Sequence, residues 1–406
     1  MELEEAVSAL RSAVTPIAET EICPLLRLHG RVAAEEILAP INVPPFPKSA
    51  MDGYAVQTGD VSAAAETSPV TLRVAGELLA GDSVTDCVAG GMSASEKGTC
   101  VCVMTGAPVP AGYDAVVRQE DTDCGEKEVR IFRSVRQWQN YCAVGEDVQK
   151  GTCILKADKK ITRTEIGLLA GIGLAAVKVR RPARIGIVCT GSELTEPGKP
   201  LSEGKIYSSI GAMLSASLEG FGQDVSCLKI VGDDEKTISA AVLDALSTSD
   251  FVVTTGGVSV GKMDLLPAVL SSLGAKTLFK GVHVQPGTPT MASVLDGKVV
   301  LSLSGNPYAA LVHFDICIRH ALSVLLGCSD FAPEKKTAVL ASSYEKVNSL
   351  RRLVRARFDG EKVYLPVQNH ASSVIGNMGE CNCYLDVPAQ TPCKIGDRLS
   401  VWMMGE

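Results

Sequence analysis

Aromatic residues and excess positive charge are both scarce in this 406-residue chain. Only 4% of the residues are aromatic, and 39 Lys and Arg stand against 46 Asp and Glu, which gives a formal net charge of −7. Proteins that bind a nucleic-acid backbone usually carry a basic face, and those that bind single strands carry aromatic platforms. We therefore expect no nucleic-acid partner.

Long apolar runs are missing as well. The longest nearly uncharged apolar stretch, residues 166–177, is shorter than the ~20 residues that a membrane-spanning helix needs. The first five residues, MELEE, are acidic where a secretory signal peptide would be basic. We expect a soluble, cytoplasmic protein with no membrane partner, whose 14 cysteines are free thiols in a reducing compartment.

Cysteine pairs with zinc-site spacing are not present either. No two cysteines form a C-x₂-C pair and the five histidines are dispersed, which argues against structural zinc. A metal in this chain would be a hard cation held by carboxylates and phosphate oxygens, which points to Mg²⁺. Each candidate carboxylate, taken alone, is also typical of a turn or a helix cap. The candidates near glycines are Asp52, Asp147, Glu193, Asp233, Asp234 and Asp264.

The first half of the chain divides at a proline-rich segment. Residues 1–40 begin with apolar side chains at helical spacing, at Leu3, Val7, Leu10 and Val14, and they predict a helix, a turn and a second helix. The segment VPPFP at residues 43–47 ends this part. Residues 45–144 hold short β-rich runs and predict a β-rich insert domain. Residues 145–182 include a helical stretch at 164–171, and we expect them to form one discontinuous N-terminal domain with residues 1–44.

The second half of the chain predicts an α/β domain followed by a β domain. Apolar runs typical of strands cover residues 184–189, 225–231, 250–255 and 299–303, with helical runs at 212–221, 235–246, 265–273 and 308–326. This alternation within residues 183–327 predicts a doubly wound, largely parallel sheet covered on both faces. Residues 328–406 return to short strands and predict a compact β-barrel or β-sandwich.

Three strands of the α/β domain end in loops rich in glycine and small polar residues. In an open parallel sheet, ligands bind beyond the carboxyl ends of the strands, where glycine lets main-chain N–H groups approach a phosphate. One such loop is ordinary turn chemistry, but three of them predict convergence on one anionic ligand. The predicted substrate-binding residues are Gly191, Ser192, Gly256, Gly257, Ser259, Gly261, Gly305, Asn306 and Pro307.

The loop at residues 256–262 nearly matches the P-loop of nucleoside triphosphatases. Its G-x-x-x-x-G-K pattern is followed by Met263, where a serine or threonine hydroxyl should bind Mg²⁺. A P-loop enzyme is therefore disfavoured.

A set of motifs, in order along nearly the whole chain, carries a family resemblance. The motifs are PPFPKSAMDGYAV at 44–56, MTGAPVPAGYD at 104–114, VGEDV at 144–148, CTGSEL at 189–194, VGDDE at 231–235, TGGVSVGKMD at 255–264 and LSGNP at 303–307. The chain resembles the molybdopterin molybdenumtransferases, the family of MoeA, gephyrin and the plant E-domain proteins.

The resemblance implies a multidomain architecture and a reaction. It implies an elongated protomer with a helical N-terminal dimerisation domain, a β-rich insert, a MogA-like α/β domain that binds molybdopterin, and a C-terminal β-barrel. In the homodimer, the cleft would lie between the α/β domain of one subunit and the insert of the other, and the N-terminal apolar stripe would meet a partner surface. The implied reaction inserts molybdate into adenylyl-molybdopterin, with Mg²⁺-dependent hydrolysis that releases AMP. An upstream molybdopterin adenylyltransferase is the implied supplier of that substrate.

The resemblance also assigns roles to residues of this chain. The implied catalytic residues are Asp52, Thr105, Glu193 and Asp264. The implied metal ligands are Asp233, Asp234 and Asp264, of which one member of the Asp233/Asp234 pair is expected to act. The implied molybdate-binding residues are Gln285, Thr288, Pro289, Arg352, Arg355 and Ser372.

Two motifs depart from the family pattern. Tyr-Asp-Ser-Asn is replaced by YSSI at residues 207–210, and the molybdate-binding K-P-G-K-P is replaced by QPGTP at residues 285–289, so both lysines are absent. Neutral donors give up the charge-assisted part of anion binding, for which Lys280, Arg352, Arg355 and Ser372 could compensate. The departures leave open a weakly catalytic relative that carries the pterin cofactor or acts as a scaffold. An adenylyltransferase acting on molybdopterin is a third reading, but it would need neither the insert nor the C-terminal domain.

Overall fold

The computed structural model describes residues 1–85, 95–258, 265–366 and 371–405. Contacts within the chain define two units. Unit 1 contains residues 1–35, 157–163 and 176–406, and unit 2 contains residues 36–156 and 164–175. The four-domain division expected from the sequence stays a prediction.

The N-terminal apolar stripe forms one face of a helix. α1 (Leu3–Ala13) begins where the Glu5 carboxylate accepts the main-chain N–H of Glu2 at 3.0 Å. The stripe residues Leu3, Val7 and Leu10 of this helix, and Val14 directly after it, are buried in the same core as the large sheet of unit 1. The stripe is therefore covered within one chain, whereas the resemblance implied a partner surface for it.

The prediction of a second helix within residues 1–40 is wrong. Thr20–Pro24 forms strand β1, and Leu25–Arg27 forms one 3₁₀ turn. Pro16 and Pro24 interrupt helical hydrogen bonding around this stretch. Residues 20–24 instead pair antiparallel with residues 176–180, a tertiary contact that local spacing does not reveal.

Unit 2 contains the β-rich insert that the sequence predicts. Its strands are β2 (Ile37–Leu38), β3 (Lys48–Ser49), β4 (Gly53–Val56), β5 (Val70–Leu78), β6 (Thr99–Val103), β7 (Ala115–Arg118), β8 (Glu128–Ile131), β9 (Tyr141–Cys142) and β10 (Cys153–Leu155). Five of them form a sheet in the order β7-β4-β6-β5-β8, with two apolar clusters packed around it. Helix α2 (Arg163–Gly171) follows along the chain.

A glycine at the start of β4 lets β7 approach closely. A Cβ atom on Gly53 would lie 1.9 Å from the carbonyl oxygen of Val117, so no other residue fits without a shift of the backbone. Asp52 directly precedes Gly53. The close contact between β4 and β7 therefore also fixes the position of the Asp52 main chain, from which its carboxylate extends.

The α/β region of unit 1 alternates strands and helices as predicted. Its strands are β11 (Ala176–Arg180), β12 (Arg184–Thr190), β13 (Leu194–Thr195), β14 (Ile206–Tyr207), β15 (Asp224–Val231), β16 (Phe251–Thr255), β17 (Lys276–Lys280), β18 (Val284–Gln285), β19 (Met291–Leu295) and β20 (Lys298–Leu303). Its helices are α3 (Ile210–Gly220), α4 (Glu235–Thr248), α5 (Leu266–Ser272), α6 (Pro307–His313) and α7 (Arg319–Leu325). A π-helical segment, Phe314–Ile318, joins α6 to α7.

Six of these strands form one sheet in the order β15-β12-β16-β20-β19-β17. The first four run parallel, whereas β19 and β17 run antiparallel to their neighbours. Helices α1, α3, α6 and α7 contribute to one core cluster, and α4 and α5 contribute to another. A largely parallel sheet with helices on both faces is therefore confirmed.

The C-terminal residues of unit 1 form a closed barrel. Its strands are β21 (Lys335–Leu340), β22 (Arg351–Phe358), β23 (Lys362–Tyr364), β24 (Cys383–Val387) and β25 (Arg398–Met403). They pair in the order β22-β23-β21-β25-β24, and β24 pairs back with β22. This confirms the predicted C-terminal barrel.

One helical stretch is apolar and long enough to cross a membrane by length and composition. Among the described residues it is Pro307–Leu325, and most of it is buried within the protein. This degree of burial is typical of the core helix of a soluble protein. The cysteines that the structure describes are free thiols, as expected.

Candidate functional site

A first pocket opens where the strand order reverses. The connections from β12 and β16 leave in opposite directions, so a crevice forms at the carboxyl ends of these strands. The pocket there has a volume of about 300 Å³. The structure brings together in its walls seven of the residues selected from the sequence: Gly191, Glu193, Asp233, Gly256, Gly257, Gly305 and Pro307.

Glycines make the floor of this first pocket possible. Gly256 has φ +87°, and a Cβ atom on it would lie 2.3 Å from the carbonyl oxygen of Thr190. The loop after β16 therefore touches the end of β12 directly. Gly305 lies beside the same spot, where an added Cβ would be 3.6 Å from the Gly256 Cα. Main-chain atoms rather than side chains consequently face the pocket at these glycines, an arrangement that can bind anions.

The two neighbouring aspartates after β15 have different surroundings. The Ser192 main-chain N–H donates to Asp233 Oδ2 at 2.8 Å, and the Asp233 N–H donates to Ser192 Oγ at 3.0 Å. Asp234 instead caps α4, where its Oδ1 accepts from the main-chain N–H and the hydroxyl of Thr237. These hydrogen bonds lower the pKa of Asp234. Asp233 lines the pocket, and Asp234 is committed to the helix.

Glu193 places an exposed carboxylate at the edge of the first pocket. A Cβ atom on Gly191 would lie 2.6 Å from Glu193 Oε2, so the carboxylate folds back over a residue that has no side chain. The main-chain carbonyl of Glu193 accepts from the Ile206 N–H at 2.9 Å. This bond ties the acidic loop to β14 and keeps its carboxylate beside the pocket.

A second pocket, of about 320 Å³, lies beside the loop that departs from the family pattern. The loop residues Gln285 to Pro289 line it together with Arg352 and Ser372. Strand β18 pairs parallel with β22, and Gln285 stands directly opposite Arg352 in that register. Arg352 is the one cationic residue among the described residues that line this pocket. The pairing places it next to Gln285, where the family pattern has a lysine.

The two pockets share a wall. Gly305 and Pro307 line the first pocket, whereas Ser304, Asn306 and Tyr308 line the second. Asn306 Oδ1 accepts the main-chain N–H of Ala309 at 3.0 Å and so caps α6. The sequence analysis grouped Asn306 with the glycine-loop residues of the first pocket, but in the structure it lines the second pocket. Ser304, Tyr308 and Ala309 are lining residues that the sequence analysis missed.

Two of the cations proposed from the sequence do not line the second pocket. Arg355 is 1% exposed, and its guanidinium lies 3.9 Å from the centre of the Tyr308 ring. It donates to Asn377 Oδ1 at 2.7 Å and to the Ala371 carbonyl at 2.8 Å. Arg355 thus holds the barrel segment around residues 371–377 in place. Lys280 lies on β17 and is exposed.

Asp52 and Thr105 form a compact pair in unit 2. Asp52 Oδ1 accepts from the Thr105 main-chain N–H at 2.7 Å and from its hydroxyl at 2.8 Å. These two bonds lower the pKa of Asp52, because they stabilise the ionised carboxylate. The structure therefore brings together two residues that the resemblance assigns to catalysis from separate motifs.

The part of the TGGVSVGKMD motif that carries Ser259, Gly261 and Asp264 lies outside the described residues. No group of three or more His, Cys, Asp or Glu side chains capable of holding a metal occurs in the described ranges.

Comparisons with known proteins agree with this geometry. Residues 1–173 match the model for the MoeA N-terminal region (domain I and II), and residues 186–324 match the model for a probable molybdopterin binding domain. The chain is 33% identical to molybdopterin molybdenumtransferase 2 of Mycobacterium tuberculosis, over 99% of this chain and 98% of the relative. It is 35% identical to the Bacillus subtilis molybdopterin molybdenumtransferase, over 92% of this chain and 87% of the relative.

The chain belongs to the molybdopterin molybdenumtransferase family.

Membership of the molybdopterin molybdenumtransferases gives the chain an enzymatic role in molybdenum cofactor biosynthesis, with molybdopterin as substrate. The fold comparison agrees, because the molybdopterin biosynthesis MoeA protein of Pyrococcus horikoshii superposes with a TM-score of 0.81 at 26% identity, covering 99% of each chain. The alternative of a non-catalytic carrier is not favoured, since these relatives are all named as transferases.

The departures from the pattern of the molybdopterin molybdenumtransferases fall on both pockets. Tyr207 and Ser208 line the first pocket, and the Tyr207 hydroxyl donates to the Lys199 carbonyl at 3.1 Å. In the second pocket, the Thr288 hydroxyl donates to the Val284 carbonyl at 2.8 Å. Thr288 therefore uses its proton within the loop, whereas the Gln285 amide makes no hydrogen bond to the residues that the structure describes.

Proposed function

We propose that this chain inserts molybdate into adenylyl-molybdopterin and hydrolyses the adenylyl phosphoanhydride, so that AMP and the molybdenum cofactor are released. One observation carries the proposal: the two pockets share the wall formed by residues 304–309. A substrate that holds its phosphates in the first pocket can extend along this wall and present its dithiolene to an oxyanion in the second.

The first pocket suits the phosphates of this substrate. Its glycine floor offers main-chain donors, which stabilise charge on phosphate oxygens without needing a basic side chain. Mg²⁺ commonly binds through one or two carboxylates together with substrate phosphates. Asp233 is the described pocket carboxylate that would hold it, with Asp264 as the second candidate, and the cation would supply charge neutralisation at the phosphates.

The hydrolytic step uses groups of the chain itself. A water oxygen forms a bond to the phosphorus of the adenylyl group, while the bond from that phosphorus to the bridging oxygen breaks. AMP leaves with the new oxygen, and molybdopterin keeps its own phosphate. Glu193 is the exposed carboxylate placed to accept the proton that the water loses.

The second pocket suits molybdate through one cation and several neutral donors. Arg352 supplies the charge, since its guanidinium carries several donors in a fixed geometry. Gln285 and Ser372 add neutral donors from the loop and from the barrel side. One arginine together with neutral donors can hydrogen-bond a tetrahedral oxyanion. Each neutral donor contributes less than a lysine would.

The assembly is also proposed. We infer a cytoplasmic homodimer with the four-domain division of the sequence analysis, in which Asp52 and Thr105 of one subunit act in the cleft of the other. An upstream adenylyltransferase would supply the adenylylated pterin, because that substrate already carries the phosphoanhydride that is cleaved here.

The direct test is an AMP-release assay. The purified protein is incubated with adenylyl-molybdopterin and Mg²⁺, with and without molybdate, and AMP is measured. We expect release that depends on molybdate. Binding of the pterin without AMP release under any of these conditions would support the carrier hypothesis instead.

Gln285→Lys is expected to lower the molybdate concentration needed for half-maximal AMP release about tenfold. A charge-assisted hydrogen bond contributes about 1.5–3 kcal/mol, and 1.4 kcal/mol corresponds to tenfold in affinity. Thr288→Lys should gain less, because it gives up the hydroxyl bond to Val284. The exposed Gln149→Lys in unit 2 is the control for added charge alone. Equal molybdate requirements for Gln285→Lys and the unmodified chain would place the oxyanion elsewhere.

A further inference from the structure

A buried histidine lies directly beneath the second pocket. His313 is the last residue of α6 and is 1% exposed. It lies one helical turn after Ala309, which lines the pocket. None of the motifs that identify the family includes this position.

The His313 ring is pressed against the loop that has lost its lysines. A Cβ atom added to Gly287 would lie 2.1 Å from His313 Nε2. Gly287 has φ +93° and lies between Gln285 and Thr288. The ring nitrogen is therefore separated from the pocket only by one residue without a side chain.

One nitrogen of this ring lacks a well-formed hydrogen bond. Among the described residues no group meets His313 Nε2 with full hydrogen-bond geometry, and the main chain of Pro286 and Gly287 is the polar group that acts on the ring. On the other side of the ring, Nδ1 lies 3.4 Å from Cys317 Sγ. A buried polar atom without a well-formed hydrogen bond costs free energy, so a charge that strengthens its contacts would be favourable here.

The surroundings of the ring favour its neutral form. Burial lowers the pKa of His313 to about 4, and the main chain of Pro286 and Gly287 opposes part of that shift. The thiol of Cys317 also stays neutral, because burial raises its pKa to about 12. No charged side chain of the described residues contributes to the pKa of His313. A nearby dianion would favour the protonated ring.

We propose that His313 takes up a proton when an oxyanion enters the second pocket, and so supplies from beneath the loop part of the positive charge that the two absent lysines would provide. This inference rests on the proposed function, which places the oxyanion in that pocket. His313 is a positioning residue, since it acts on the ligand through Gly287 and does not touch it.

Proton-linked binding has a measurable signature. Because the bound state holds more protons, the affinity for molybdate rises as pH falls, by at most about tenfold per pH unit. Arg352 retains its charge throughout and adds no such dependence. We expect a clear rise in wild-type affinity between about pH 8 and about pH 6, and net proton uptake in calorimetry with buffers of different ionisation enthalpy.

Three proteins separate the histidine from other sources of pH dependence. The wild type, His313→Gln and the exposed His29→Gln are titrated with sodium molybdate. Protonation of molybdate itself affects all three equally. We expect His29→Gln to match the wild type, and His313→Gln to lose most of the pH slope and of the proton uptake.

The outcomes distinguish this inference from the proposed function. Molybdate binding by the wild type without proton uptake would overturn the inference alone, and so would an unchanged slope in His313→Gln. Failure of the wild type to bind molybdate would overturn the oxyanion assignment of the pocket and the inference with it. Because the wild-type calorimetry needs no variant, the test stands even if His313→Gln is unstable.

Discussion

Asp233→Asn is expected to lower AMP release by about a hundredfold, the size typical of losing one group that stabilises charge at a reaction centre. Asp233 lines the first pocket, and its carboxylate is tied to Ser192. Asparagine keeps the acceptor for the Ser192 N–H but removes the negative charge that a hard cation requires. The fold should survive, since the change conserves volume.

The adjacent residue offers a matched control. Asp234→Asn makes the same chemical change one position later, where the side chain caps α4 through Thr237. Asparagine is as good a cap as aspartate, so AMP release should stay within about twofold. A larger loss in Asp234→Asn than in Asp233→Asn would reverse the assignment of the two side chains.

Gly256→Ala is expected to reduce AMP release by about a hundredfold or more, because a displacement of about 1 Å at a reaction centre can cost that much. The added Cβ would lie 2.3 Å from the Thr190 carbonyl oxygen, so either the loop after β16 or the end of β12 must move. The positive φ of +87° also disfavours alanine, by about 1–2 kcal/mol.

Gly274→Ala separates the two causes of this loss. Gly274 has φ +85°, almost the same as Gly256, but no atom lies within 4 Å of the position of its Cβ. The backbone strain should lower the thermal unfolding midpoint of Gly274→Ala, whereas its AMP release should stay at the wild-type rate. Wild-type turnover by Gly256→Ala would show that main-chain packing at this loop does not shape the substrate pocket.

Much of the α/β fold could be predicted because its signals are local. The strand predicted at residues 184–189 is β12, Arg184–Thr190, and the helix predicted at 235–246 is α4, Glu235–Thr248. Alternation of apolar strands with helices also placed the glycine loops at one edge of the sheet. The helix expected near residues 20–40 failed, because β1 pairs with a segment that is distant in sequence.

The site was harder to predict where neighbours in sequence differ in space. Asp233 and Asp234 are adjacent, yet one faces the pocket and the other a helix end. Arg352 and Arg355 are three residues apart on β22, a spacing that puts them on opposite faces of a strand, but the resemblance assigned both of them to the oxyanion. His313 carried no signal, because only the tertiary packing of Gly287 against its ring brings it to the pocket.

The most direct measurement is the position of molybdenum in crystals of the protein grown with molybdate and a molybdopterin ligand. Anomalous scattering at the molybdenum absorption edge locates the metal without reference to the protein. The account predicts a peak in the second pocket, between Gln285 and Arg352, with pterin phosphate in the first pocket beside Gly256. A reproducible peak elsewhere, with the second pocket containing only water, would contradict the assignment of the two pockets.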